Sequence, residues 1–480
     1  MTEYMDIKWQ PIVKTRASLL FQWYVFVGHR KKYYKNSLGI DFGLRNQKIV
    51  ADEISIDLNE FIQLEKLLTS KIQENKHFIK NFITSCYEFS ARLLDTFLKI
   101  KVYDGFGNLN SKELLNFYLE YEKSVLGLMP FLNTILVIDG ILKKEIIKNL
   151  EKDLHIKDKQ EQDLLISKLI IPKKKSFFVE ETEEILKIAI KSQADPNHDI
   201  SLDVQKYLDK FAWMTSIAYL GKFQTEEFVR EKIDSLLKEN PKEKLSQIEL
   251  IRQQTQSDFN TAFKEISTVS ELKEMIDFSR EMLYLQTYRL DIFFLAYFNV
   301  YKLLEEISRR LKIQSDDVVY LTGEEIVNCV SKQEVFSLKT IQERKQTYAL
   351  ILENDKFTLF AGDQVKKTIK QTTLQKEVRG TVASRGRATG KVKLLLTVDD
   401  ISKVERGDII VSPMTRPELV PAIIRSGGII TDFGGMLCHA AIISREFGIP
   451  CLVGTLKATS VFTDGDIVEL NAYDGIARKV

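Results

Sequence analysis

The chain has 480 residues, more than one hydrophobic core usually serves, and its 44% apolar and 28% charged content is that of a folded globular protein rather than a disordered or fibrous one. Its 69 Lys and Arg against 67 Asp and Glu leave a net charge of +2, which excludes a global basic field for nucleic acid or an anionic membrane. Four cysteines (Cys86, Cys329, Cys438, Cys451), none at CxxC or Cys/His ligand spacing, argue against a disulfide framework and a zinc site and predict a reducing, cytoplasmic setting.

The first ten residues, MTEYMDIKWQ, carry acidic side chains where an export signal needs a basic stretch and an apolar core, so none is expected. The run SLLFQWYVFV from Ser18 and the segment KIVADEISIDL from Lys48 are rich in β-branched and aromatic residues, with Gly39 and Gly43 between them. Residues 1–57 are therefore read as a short segment with two or three strands. From 58 to 354 apolar residues recur at spacings of three and four, as in Phe61, Leu64, Leu67, Leu68 and Ile72, which predicts a helical domain of eight to ten helices. Breaks are expected near Gly105 to Gly107, Pro130, Pro172, Pro196 and Pro241. The most apolar runs, such as that from Asp291 to Leu304, fall short of the roughly 20 residues that cross a bilayer. The Lys-rich stretch 157–176 is read as a solvated charged face rather than a phosphate patch.

Residues 355–377 are polar and weakly patterned, which suits a linker or hinge. Glycine then becomes frequent, with 12 of the 22 glycines after residue 370. Short strands alternate with short helices over 378–480, predicting a small mixed α/β domain. The fold class expected is thus multidomain: a large, mainly helical N-terminal region with a few strands at its start, then a small α/β domain.

Within that domain the segment Thr431–Thr455, TDFGGMLCHAAIISREFGIPCLVGT, carries the chemistry. A strand runs into Gly434 and Gly435, which permit a tight turn, and His439 follows where a helix begins. An imidazole there stands beside free backbone N–H groups and the positive end of the helix dipole, an environment that favours a phosphoryl group. Gly448, Ile449 and Pro450 mark the helix end. The other histidines, His29, His77, His155 and His198, have no such glycine turn. Thr415 and Arg416, in the MTRPE turn, are candidate phosphate ligands whose bland alternative is turn capping. Arg445 is better read as a structural cation on the histidine's own helix, and Cys438 as a packed thiol.

The ordered motifs SRGRATGKV from Ser384, GDIIVSPMTRPELVPAI from Gly407, GGIITDFGGMLCHAAIISREFGIPCLVG from Gly427 and DGDIVELNAYDG from Asp464 resemble the phosphohistidine, or swivelling, domain of phosphoenolpyruvate-utilising enzymes. Leu437 stands where that family has a small polar residue, and Arg385 where it has proline. Ser279 to Ile326 looks, more loosely, like the helical segment ahead of the histidine domain in rifampin-phosphotransferase-like proteins. The resemblance implies that His439 accepts a phosphoryl group and passes it on. It also implies that self-charging members carry an ATP-grasp domain, which the glycine-poor helices do not suit, and that members using phosphoenolpyruvate carry a barrel after the histidine domain, for which the 41 residues beyond His439 leave no room. The expectation is a phosphotransferase component that binds no cofactor alone, with ATP and Mg2+ held by a separate ATP-grasp protein and a small-molecule hydroxyl as acceptor. A phosphohistidine carrier or regulatory binding protein without acceptor chemistry, and a catalytically dead relative, are the alternatives.

Overall fold

Leu19–Gly28 is the first regular element where the sequence reading and the computed structural model part. The structure describes all residues except 1–6, 15, 51, 196–198, 217, 239, 369–376, 397, 416–418, 433–437 and 456, and a few others, His439 among them, by backbone alone. The run expected to be a strand is a helix, capped by the Ser18 hydroxyl, which accepts the Phe21 N–H at 3.1 Å. Nearly every residue on it is buried. A helix buried all round has no polar face, so its sequence is a continuous apolar run with no period to set it apart from a buried strand.

The chain divides into two units. One, Ala17–Arg45 with Asn59–Lys345, is built of helices. Its long helix Ser270–Asn299 packs against Phe78–Lys101 and Phe131–Asp153, and Ser111–Leu128 packs against Phe78–Lys101 and Leu19–Gly28. A satellite cluster of Ile185, Ile188, Tyr207, Phe211 and Val229 holds Phe177–Ala194, Ser201–Phe211 and Glu226–Leu237 together. Helices outnumber the eight to ten expected because several breaks use neither glycine nor proline. Val300, for example, parts Ser270–Asn299 from Tyr301–Leu311, whereas the expected break at Gly105 to Gly107 falls between Phe78–Lys101 and Ser111–Leu128, whose start Asn110 closes with a capping box to Glu113. Pro241 instead begins a helix, after Asn240; Pro196 lies outside the described residues.

The stretch Ser111–Asp153 corrects the reading that no segment is apolar and long enough to cross a membrane, since it passes that test. It is two helices interrupted at Met129 and Pro130, and 83% of its most apolar window is buried inside the protein, as a core helix pair would be. The Lys-rich stretch carries ion pairs, Lys173 with Asp277 and Lys174 with Glu281, each at 3.1 Å.

The second unit joins Met1–Arg16 and Asn46–Leu58 to Gln346–Val480. Strands β1 (Trp9–Lys14), β2 (Gln47–Val50), β3 (Glu53–Asp57), β4 (Tyr348–Glu353) and β5 (Lys356–Ala361) form one antiparallel sheet in the order β1-β3-β2-β4-β5. This corrects two boundaries drawn from sequence. Segment 1–57 is no module of its own, because its helices belong to the helical unit and its strand β2 pairs with β4 some 300 positions later. The linker 355–377 begins with β5 and a helix, Asp363–Thr368; its remainder, 369–376, lies outside the described residues. Composition misled because an edge strand facing water is polar on alternate positions.

Eight strands make the other sheet: β6 (Glu377–Arg379), β7 (Thr381–Ser384), β8 (Arg387–Leu394), β9 (Ile409–Ser412), β10 (Gly428–Thr431), β11 (Cys451–Val453), β12 (Ile467–Asn471) and β13 (Ile476–Lys479). The order is β6-β13-β12-β8-β9-β10-β11-β7. Its two edge strands, β6 and β7, are separated in sequence by Gly380 alone, so the sheet curls round to bring its edges together. A Cβ at Gly380 would stand 2.7 Å from the Thr455 methyl and 2.8 Å from the Val453 carbonyl, which is why glycine makes that turn. Strands β8 to β11 run parallel and divide their side chains between two cores. Ile409, Val411, Ile430 and Leu452 face one with Phe462 and Leu470. Ile410, Ile429, Cys451 and Val453 face the other, under the helices, with Ala440, Ala441 and Ile423.

Candidate functional site

Parallel β9, β10 and β11 are joined by crossovers that leave from the carboxyl edge of the sheet. Ser412 pairs with Thr431 at that edge. The loop holding Thr415 leaves from β9, and the segment leading to His439 leaves from β10. Two positions picked from sequence, 24 residues apart, are thus brought to the ends of adjacent strands. Arg416, Gly434, Gly435 and Leu437 lie outside the described residues.

His439 is the first residue of the helix His439–Glu446, as expected. Cys438 is the N-cap, extended at φ −71° and ψ 162°, and makes no capping hydrogen bond. Burial raises the Cys438 thiol, while the nearby N–H groups of Ala440 and Ala441 pull it the other way. A thiol is a weak acceptor, so it leaves the first-turn N–H groups without the strong partner that Ser, Thr or Asp would supply. Ala440 and Ala441 are buried against the sheet, and their small side chains let the helix approach it closely.

The helix ends as its sequence predicts. Gly448 is left-handed at φ 63°, its N–H donates to the Arg445 carbonyl at 3.4 Å, and the Ile449 N–H donates to the Ser444 carbonyl at 2.8 Å. That pair of bonds is the Schellman motif. Arg445 turns back on its own helix, Nε donating to the Ala441 carbonyl at 2.8 Å. Thr415 is buried, with 6% of its surface exposed, and belongs to a turn where the Ser412 hydroxyl donates to the Leu395 and Met414 carbonyls.

Sequence reasoning missed the bracing beneath the site. Asp432, the last described residue before Cys438, is buried at 1% exposure. Its carboxylate accepts the Thr459 N–H at 3.0 Å, the Thr459 hydroxyl, and the Thr455 hydroxyl at 3.4 Å. The Thr455 N–H and hydroxyl both donate to the Thr431 carbonyl at 3.0 Å. The carboxyl end of β10 is therefore fixed to the exit of β11, while the helix is fixed on its buried alanines, so both ends of segment 433–437 are held. The signal present in sequence was an acidic residue two positions before the double glycine; its threonine partners lie more than 20 residues on.

Cys451 lies on β11 beneath the helix and its thiol is pushed up to about 12 by burial. Among the described residues no group of three or more His, Cys, Asp or Glu side chains could hold a metal ion.

A family model for the mobile domain of PEP-utilising enzymes matches residues 404–475. A probable phosphoenolpyruvate synthase of Archaeoglobus fulgidus is 52% identical over 99 residues, 21% of this chain and 13% of its own. That of Methanothermobacter thermautotrophicus is 48% identical over 99 residues, 21% of this chain and 14% of its own. Rifampicin phosphotransferase of Bacillus cereus is 30% identical over 163 residues, 33% of this chain and 18% of its own, a match too long for residues 377–480 alone. The chain thus spans less than a fifth of these relatives. Their names tie the matched domain to phosphotransfer. With its parallel strands, its glycine-bearing motif and the helix that starts at His439, the segment 404–475 is similar to the mobile domain of phosphoenolpyruvate-utilising enzymes.

Proposed function

We propose that this chain is a phosphotransferase component that carries a phosphoryl group on His439 from ATP, bound with Mg2+ by a separate ATP-grasp protein, to a small-molecule hydroxyl held by the helical unit. The observation that carries the reading is the start of helix His439–Glu446 at the carboxyl edge of β10, behind a cysteine N-cap that makes no capping bond. The first-turn N–H groups and the helix dipole are then available to phosphoryl oxygens. Neutral imidazole is a nucleophile near neutral pH, and the phosphoramidate it forms is a good donor, so one transfer becomes two displacements. Gly434 and Gly435 would give the turn its close backbone approach, and Thr415 and Arg416 would add a hydroxyl and a cation for the transferred oxygens.

Incubation with a candidate ATP-grasp protein and radiolabelled ATP tests this. Label should appear on His439, be lost in acid and survive base, and be absent from His439→Ala. Acid-stable label, or label on another residue, would overturn the assignment. Labelled His439 that passes nothing to any hydroxyl acceptor would favour a carrier or regulatory role.

A further inference from the structure

Among the described residues of 377–480 two carboxylates are buried, Asp408 and Asp432, and they stand at opposite edges of the parallel strands. Asp408, ahead of β9, accepts the Glu405 N–H at 2.8 Å and lies 3.8 Å from the Lys393 ammonium, which is what closing a turn requires. Asp432, after β10, joins more of the chain. Its N–H donates to the Ser412 carbonyl at 3.1 Å, at the end of β9, and its carboxylate holds Thr455 and Thr459, beyond the end of β11. The tie continues on both sides. The Ser412 hydroxyl donates to the carbonyl of Met414, the neighbour of Thr415, and the Thr455 hydroxyl accepts the Ala458 N–H at 3.3 Å. One residue thus fastens the carboxyl ends of three parallel strands to one another.

Burying a carboxylate is costly, and ending a strand does not require one. What a carboxylate adds over a neutral group is charge-assisted bonds of fixed direction. Those bonds are set at the edge of the sheet from which the chain leaves for His439, seven residues on.

We propose that Asp432 is a positioning residue for phosphoryl transfer: by fixing the ends of β9, β10 and β11 together it sets the place of the His439 imidazole relative to the backbone N–H groups that receive the phosphoryl oxygens. The proposal rests on the reading of His439 as the phosphoryl carrier, and adds that the carrier's reactivity depends on a buried carboxylate acting through the backbone. A misplacement of about 1 Å can cost about a hundredfold in rate.

Chemical phosphorylation of the full chain with potassium phosphoramidate near neutral pH tests this without a partner protein. The donor's P–N bond breaks as the imidazole N–P bond forms, and ammonia leaves with the displaced imidazole proton. His77 and His155, both exposed, report in the same chain the reactivity of an unassisted histidine. Followed by mass spectrometry of peptides kept alkaline, wild-type His439 should react about tenfold faster than either or more. Asp432→Ala should remove most of that lead while His77 and His155 keep their rates. Asp432→Asn retains an acceptor for the Thr459 N–H and lets the Thr459 hydroxyl turn to accept from the amide, so it should stay within about threefold of the wild type. Thr459→Val keeps the shape and loses one bond; it should fall between the two, and it carries the test if Asp432→Ala does not fold. Val468→Ala, in the core on the other face of the sheet, should lower the melting temperature and leave the ratio of His439 to His77 unchanged. Full retention of the lead by Asp432→Ala or Thr459→Val would overturn the proposal and leave the carrier reading intact, and a ratio that falls as far in Val468→Ala would do the same. A wild-type His439 no faster than His77 would overturn it too, while label from ATP on His439 would still uphold the carrier reading.

Discussion

Single residues show most directly how environment sets chemistry. Asp432 is buried and accepts hydrogen bonds from two threonines, while the partly buried Glu122 accepts, among the described residues, only a long one from the Tyr118 phenol. The consequence for Glu122 can be given a sign. Its folded-state value near 7 exceeds the ordinary value near 4.5, so the fold prefers the protonated form. That preference contributes its full stability below about pH 4.5 and is lost as pH rises through about 7. Glu122→Gln should therefore raise the stability of the ligand-free helical unit by about 2 to 3 kcal/mol at pH 8.5 and change it little at pH 4.5, in denaturant titrations at the two pH values. His439→Ala, by contrast, should leave the melting temperature of the C-terminal domain within a few degrees, because alanine suits a helix's first turn, while removing all acid-labile label.

Among the elements, the helix His439–Glu446 was legible from end to end. Its start falls at His439 as expected, and its stop is written in Gly448, Ile449 and Pro450, whose roles depend only on local backbone. Gly448 meets nothing within 4 Å, so Gly448→Ala should cost only the left-handed backbone, about 1 kcal/mol, seen as a lower midpoint in thermal unfolding of the domain. Gly380→Ala should cost more, because its methyl group meets the Val453 carbonyl as well as a side chain. Leu19–Gly28 was not legible, since complete burial removed the polar face that gives a helix its period. Its one clue was Ser18, a residue type that caps helix starts.

At the level of the whole molecule, β2 pairs with β3 on one side and on the other with β4, which lies beyond the entire helical unit in sequence. The C-terminal domain has two cores of its own, drawn entirely from residues 378–477. We expect it to be separable: limited trypsin digestion should cut first at Lys370 or Lys376 and release a fragment that stays folded and still takes label on His439. Early cuts inside either unit, or a fragment that unfolds, would count against a domain able to swing between a donor and an acceptor.

What could be read from residue order is what short-range chemistry governs: the helical period of the middle of the chain, the caps and turns around His439, and a motif whose glycines and histidine lie within six residues of one another. What could not be read depends on contacts closed across long stretches of chain. The N-terminal strands enter a sheet with residues 348–361, Thr459 and Thr455 brace Asp432 beneath the site, and Glu122 meets Trp23 and Gly323 from opposite sides of it in sequence. No local pattern encodes such meetings, because each side chain's preference is satisfied equally by many partners until packing in three dimensions selects one.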